Sequence, residues 1–171
     1  MDRRRSTNDI SANVRFIEPG CIHISDAPMT LSAVLGSAVA VCCWDPARQR
    51  GGLAHYTWPR IERARDATAR YGNVAIRHLI RLLRREGSPV DRLHAHLLGG
   101  ACHPTRDDGG LARANIDIAL RILGRSGVRL CSRDIGGALG RKIAFDVGTG
   151  HVAILKVERI RQADWHALPL R

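Results

Sequence analysis

Residues 31 to 59, LSAVLGSAVAVCCWDPARQRGGLAHYTWP, constrain the fold of this chain more than any other stretch. From Leu31 to Trp44 the residues are small or β-branched and apolar at successive positions, the pattern of a strand covered on both sides. Turns are expected at Asp45-Pro46 and at Gly51-Gly52, after which a second short run returns to His55 and Pro59. Two strands joined this way bring the end of the first run near His55. Period-two alternation places Ala38, Ala40 and Cys42 on one face and Ser37, Val39, Val41 and Cys43 on the other. The Gly36-Ser37 step within this apolar run marks a close backbone approach, a bulge, or amide groups turned toward a ligand.

At 171 residues the chain suits one domain with a core of its own. No stretch approaches the ~20 apolar residues of a membrane span. The opening MDRRRSTNDISANVRF has no apolar run behind its basic residues, so neither a secretory signal nor a membrane anchor is expected. Five cysteines, two of them adjacent and none in a CxxC pair, make no disulfide framework; reduced thiols and a cytoplasmic location are expected. The 27 lysines and arginines, nearly all arginine, outweigh 16 acidic residues to give +11, a balance that favours an acidic partner surface. Aromatic residues are 4% of the chain and none alternates with arginine as in a base-stacking platform, which weighs against nucleic acid.

Along the chain, residues 1–13 read as a loose basic arm and 14–158 as the globular domain. Residues 159–171 read as a basic tail in which Trp165 and Leu168 fold back. Pro19-Gly20 separates two short extended runs. Arg60 to Gly72 reads as a surface connection. Ile76, Leu79, Ile80 and Leu83 recur at the spacing of one helical stripe, with Asn73 as N-cap and Gly87 as the stop. A strand over Leu93–Leu98 runs into Gly99-Gly100-Ala101. A second helix follows over Leu111–Leu123 with Ile116, Ala119, Leu120 and Leu123 inward. Asn115 near its start is expected to make a helix-end hydrogen bond. Strands are expected at Val128–Ser132 and in a hairpin from Ile143 to Leu155. Two amphipathic helices among six or more strands specify a single α/β domain with a mixed, largely antiparallel sheet.

Several local patterns combine into a resemblance. They are a PG dipeptide before the first paired strand, LGS-x-VAVC, a DP turn, GG-x-AH with a following proline, GGA after a strand, Asn115, and GRK-x-x-FD-x-x-TG. Taken in this order from about Val14 to Val157, they resemble the CheD family, the chemoreceptor glutamine deamidases of bacterial chemotaxis. The resemblance implies a three-layer α/β/α sandwich, no cofactor, and a site turn at Gly99, Gly100 and Ala101. It implies two kinds of partner, the cytoplasmic domains of chemoreceptors and CheC, a phosphatase of the chemotaxis response regulator. It also implies a nucleophilic cysteine at the position of Ala38, with His55 as its partner, and a catalytic threonine at the position of Ser32 or Ala33. Only Ser32 retains a hydroxyl. The second departure, at Ser32 and Ala33, favours natural degeneration of the site over one engineered change.

Hydrolysing a glutamine side chain requires attack on a poor electrophile and expulsion of ammonia. A thiolate attacks well once a histidine takes its proton, and backbone N–H groups near Gly36 and Ser37 would hold the oxyanion. An alanine methyl does none of this. Cys42 lies four residues beyond Ala38, roughly 13 Å along an extended strand, and cannot stand in. Two functions therefore stand side by side: receptor-glutamine deamidation by family, and a CheD-like binding protein without turnover. His94, His96, Cys102 and His103 sketch a zinc site only loosely, with no second conventional ligand pair, so no metal is expected. The run GGALGRK lacks phosphate-loop spacing and leads into a strand.

Overall fold

The computed structural model describes residues 13–105 and 109–165. Residues 1–12 of the expected arm, and Leu168 of the tail, lie outside the described residues. The strands are β1 (Val14–Phe16), β2 (Cys21–Ser25), β3 (Thr30–Leu35), β4 (Val39–Asp45), β5 (Arg50–Tyr56), β6 (His94–Gly99), β7 (Arg129–Ile135), β8 (Gly140–Asp146) and β9 (Val152–Val157). Two helices, α1 (Gly72–Arg85) and α2 (Gly109–Ser126), complete the core. One sheet has the order β1-β3-β8-β9 and the other β2-β5-β4-β6-β7. Pairing is antiparallel except for β1 with β3 and β6 with β7.

The central strand of the larger sheet is β4, and its sequence requires that place. Val39, Val41 and Cys43 face a helix-side core with Ala54, Tyr56, Ala95 and Leu97. Ala40 and Cys42 face the other way, into a core with Leu53, Leu98, Leu31, Leu35 and Phe145. Onto the first core, α1 packs Ala75, Ile76, Leu79, Ile80 and Leu83, and α2 packs Ile116, Ala119, Ile122 and Leu123. The layers therefore run helices, five-stranded sheet, four-stranded sheet.

The single α/β domain and its mixed, largely antiparallel pairing are as the sequence indicates; the outermost layer is a sheet where the resemblance implied helices. The connections explain why. Helix α1 carries the chain from β5 over β4 to β6, and α2 carries it from β6 to β7, both crossovers advancing in the same direction across the sheet. Crossovers of one hand that advance in one direction put both helices on one face. The opposite face is left for β3 and β8.

Two local expectations are corrected. The apolar run from Leu31 to Trp44 is two strands in different sheets, broken at Gly36-Ser37-Ala38. Corners of this kind let a chain leave one sheet for its packed neighbour. Gly51 and Gly52 lie inside β5 instead of at a turn. A Cβ at Gly51 would sit 2.7 Å from the Cys43 carbonyl oxygen, and one at Gly52 would sit 2.5 Å from that of His23. Close backbone approach, not turn geometry, demands glycine there. The turn is made by Asp45, whose Oδ1 accepts from the N–H groups of Ala47 at 3.0 Å and Arg48 at 3.3 Å. Asn73 is not the N-cap of α1, which begins at Gly72; its side chain pairs with the backbone of Ile61 instead.

Phe145 is fully buried between the sheets. Phe145→Ala is expected to lower the unfolding free energy by about 3–5 kcal/mol, read by urea titration. A loss below about 1 kcal/mol would contradict its place in the inter-sheet core.

Candidate active site

The corner between β3 and β4 meets the end of β5 through strand register. Ala40 pairs with His55 and Val39 with Tyr56. Continuing that register one step places Ala38 opposite Thr57. His55 shares its strand face with Leu53, on the inter-sheet side, and Ala40 opposite it faces the same way. His55 and position 38 are thus diagonal neighbours, a relation that leaves side chains within reach of one another.

His55 is fully buried. Its Nδ1 lies 3.0 Å from the carbonyl oxygen of Ile17, and a carbonyl can only accept, so Nδ1 carries the proton. The other nitrogen, Nε2, is therefore bare, and it is buried with no partner among the described residues. Burial lowers the pKa of this imidazole to about 4, partly offset by the Ile17 hydrogen bond, so the ring is neutral at pH 7. Chemically this is an unprotonated base nitrogen held in an apolar setting.

The corner itself is fixed from three sides. The carbonyl of Gly36 accepts from Ala101 N–H at 2.8 Å, and that of Ala38 from Gly100 N–H at 2.8 Å. The carbonyl of Ser37 accepts from Asn115 Nδ2 at 3.1 Å. A trans peptide turns its N–H opposite to its carbonyl, so the N–H groups of Ser37 and Ala38 point away from the bonds that the Gly36 and Ser37 carbonyls make. Gly99 and Gly100 both have positive φ, 109° and 67°, and a Cβ on Gly99 would sit 2.3 Å from the Ala38 carbonyl oxygen. Only glycine lets β6 end against the corner.

Asn115 lies inside α2, not at a helix end. Its Nδ2 donates both to Ser37 and to the carbonyl of Thr57, the latter at 2.9 Å, while its own backbone carbonyl accepts from Tyr56 Oη at 2.6 Å. One buried side chain thus clasps the ends of both strands. Neither this role nor the place of Thr57 was read from the sequence. Counting outward from the Ala40–His55 pair would have found Thr57, whereas Asn115 is marked only by the resemblance, and nothing local tells a strand clasp from a helix-end bond.

Gly36, Ser37, Ala38, Thr57 and Ala101 line one cleft of about 730 Å³. His103, Arg159 and Ile160, the last two following β9, also line it. Ile160 packs against the corner, 3.7 Å from where a Cβ on Gly36 would sit. The short helical turn Gln162–Trp165 is anchored by Lys142 Nζ, 2.5 Å from Asp164 Oδ1. Part of the expected tail is therefore a wall of the cleft.

Ser32 is not brought to this site. Leu31, Ala33 and Leu35 take the inner face of β3, so Ser32 looks outward, its hydroxyl 3.5 Å from the Arg15 carbonyl. Of the two candidate threonine positions, Ala33 faces inward. Cys42 and Cys43 are buried on opposite faces of β4, and burial pushes both thiols up, Cys43 to about 12. His96 is taken by Ser132 Oγ at 2.7 Å and the Gly150 carbonyl at 2.9 Å, while His94 meets the Trp44 ring edge-on.

Residues 59–156 match the family model described as CheD chemotactic sensory transduction. That match begins just after His55, so it rests on the framework and not on residues 38 and 55. The chain is 36% identical over 137 residues to "Probable chemoreceptor glutamine deamidase CheD 1" of Anaeromyxobacter dehalogenans, spanning 79% of this chain and 80% of that one. It is 32% identical over 148 residues to "Probable chemoreceptor glutamine deamidase CheD" of Sulfurimonas denitrificans, spanning 85% and 95%. With the protein of the same name from Trichlorobacter lovleyi it shares 31% over 141 residues, spanning 81% and 88%.

The lowered pKa of His55 has a consequence for stability. Between its ordinary value of 6.5 and about 4, the unfolded chain takes up a proton that the folded chain refuses. The stability from the neutral buried ring is thus fully present above pH 6.5 and lost as pH falls to about 4, about 3 kcal/mol in all. Burial also lowers the pKa of His23 and His96, so the test compares slopes. Unfolding free energy plotted against pH is expected to fall less steeply in this window for His55→Phe than for the parent. Equal slopes would contradict the buried neutral ring.

Proposed function

The chain belongs to the CheD family, and from that premise we propose that it is a receptor-glutamine binder built on the deamidase frame. It takes a glutamine side chain of a chemoreceptor cytoplasmic helix at the Gly36-Ser37-Ala38 corner and holds it without turnover. The single observation behind this reading is the bare Nε2 of a buried His55, which the strand register sets diagonally across from a position that offers only a methyl group. In a deamidase with a thiol at that position, the imidazole would take the thiol proton as the sulfur attacks the amide carbon, then deliver it to the departing ammonia. The N–H groups of Ser37 and Ala38, turned away from the tied carbonyls, are the donors for the oxyanion. Two parts that the family implies are missing, the attacking atom at position 38 and the threonine hydroxyl, since Ser32 faces away and position 33 is alanine. In a serine hydrolase, losing the nucleophile costs about 10⁶ in rate.

The relatives are named for chemoreceptors, which supplies the partner class, and CheC follows from the family as a second partner. Both partners support a cytoplasmic location. Among the described residues no helix is long and apolar enough to cross a membrane.

A second reading, slow deamidation, is favoured by one observation: Thr57, a hydroxyl residue, lines the same cleft, and continuing the β4–β5 register one step sets it opposite position 38. Incubation with a receptor cytoplasmic fragment, followed by mass spectrometry for Gln-to-Glu conversion, separates the two. The parent chain is expected to bind the fragment without converting it. Ala38→Cys is expected to convert it at least about 10³-fold faster, an activity abolished by adding His55→Gln. Conversion by the parent chain, lost in Thr57→Val, would overturn the binding-only reading. A folded but inert Ala38→Cys would show that more than the nucleophile is gone.

A further inference from the structure

The helix layer carries a second concave surface. A groove of about 380 Å³ lies where the first turns of α1 meet the second half of α2 and residues 60–62. Its rim holds four exposed arginines, Arg60, Arg77, Arg121 and Arg125, and half-buried Ile61 and Ile118 supply an apolar floor. The groove is built, not incidental. Asn73 Oδ1 accepts from Ile61 N–H at 3.1 Å and its Nδ2 donates to the Ile61 carbonyl at 2.9 Å, pinning this segment against α1.

Helix stability does not account for this collection of charge. Arg125 is favourable at the C-terminal end of α2, but α1 has no acidic residue in its first turn, and Arg77 follows near that positive end of the helix dipole. Among the described residues Arg60 reaches Glu62 at 3.8 Å, whereas Arg77, Arg121 and Arg125 make no ion pair. Glu62 offsets Arg60 alone; the three cations left without a counter-ion repel one another, and an acidic ligand relieves the repulsion.

We propose that this groove is a docking seat for an acidic amphipathic segment of a partner protein. Its carboxylates pair with the guanidinium forks, which suit two-point bonds to carboxylate, and its aliphatic side chains settle on Ile61 and Ile118. A nucleic acid fits less well, because no aromatic ring lines the groove for stacking. A second copy of a chain carrying +11 would bring like charge to like. A bilayer is too flat to enter a seam between helices.

Fluorescence anisotropy of the full chain tests this with a labelled helical peptide that alternates glutamate and leucine faces. The controls are its glutamine counterpart, a duplex DNA and vesicles containing phosphatidylserine. The glutamate peptide is expected to bind at least tenfold tighter than the glutamine peptide. Arg121→Gln/Arg125→Gln is expected to weaken that binding at least tenfold while leaving the unfolding midpoint and receptor-fragment binding unchanged. The proposal is overturned if the glutamate peptide fails to bind at low salt or the glutamine peptide binds equally well. It is also overturned if the double substitution has no effect, or if DNA or vesicles bind more tightly and lose affinity through the same two arginines.

Discussion

Because both faces of β4 are covered, its register against β5 cannot slip by one residue without turning Ala40 and Cys42 into the helix layer and Val39 and Val41 into the sheet layer. That constraint fixes His55 opposite Ala40, and so fixes the imidazole diagonally across from position 38. The carbonyl of Ile17 then selects the tautomer, and burial selects the neutral form. Packing, register and protonation state follow from one another in that order.

The site keeps features that have no evident structural use. A buried nitrogen left unpaired costs about 1–3 kcal/mol, and nothing in the inter-sheet core repays this at His55 Nε2. An apolar residue there would pack without that penalty. The Asn115 clasp and the two positive-φ glycines hold the geometry of the Gly36–Ala38 corner. A CheD-family frame is thus held in register around a methyl group at position 38.

Much of this was legible in the sequence, for identifiable reasons. The stripe of Ile76, Leu79, Ile80 and Leu83 located α1 because a helix buried on one side must repeat at that spacing. The facing of Ala38, Ala40 and Cys42 followed from strand alternation. The corner at Gly36-Ser37 was harder to read: the step marks a bulge or close approach, but the mostly apolar residues on both sides do not tell a bulge within one strand from a break between two. Gly51-Gly52 looked like a turn because glycine serves both turns and close approaches, and only the neighbouring carbonyls decide between them. Ser32 could be weighed as a site hydroxyl only until its face of β3 was known. The sheet that forms the outermost layer depends on the direction of two crossovers, which no local pattern records.

The most direct test is the state of the His55 ring itself, read by ¹⁵N NMR of the imidazole nitrogens in the folded chain. The account requires a neutral ring with the proton on Nδ1 and a bare Nε2 throughout the neutral pH range, unchanged down to about pH 5. A ring protonated on Nε2, or one that titrates near its ordinary value of 6.5, would contradict it.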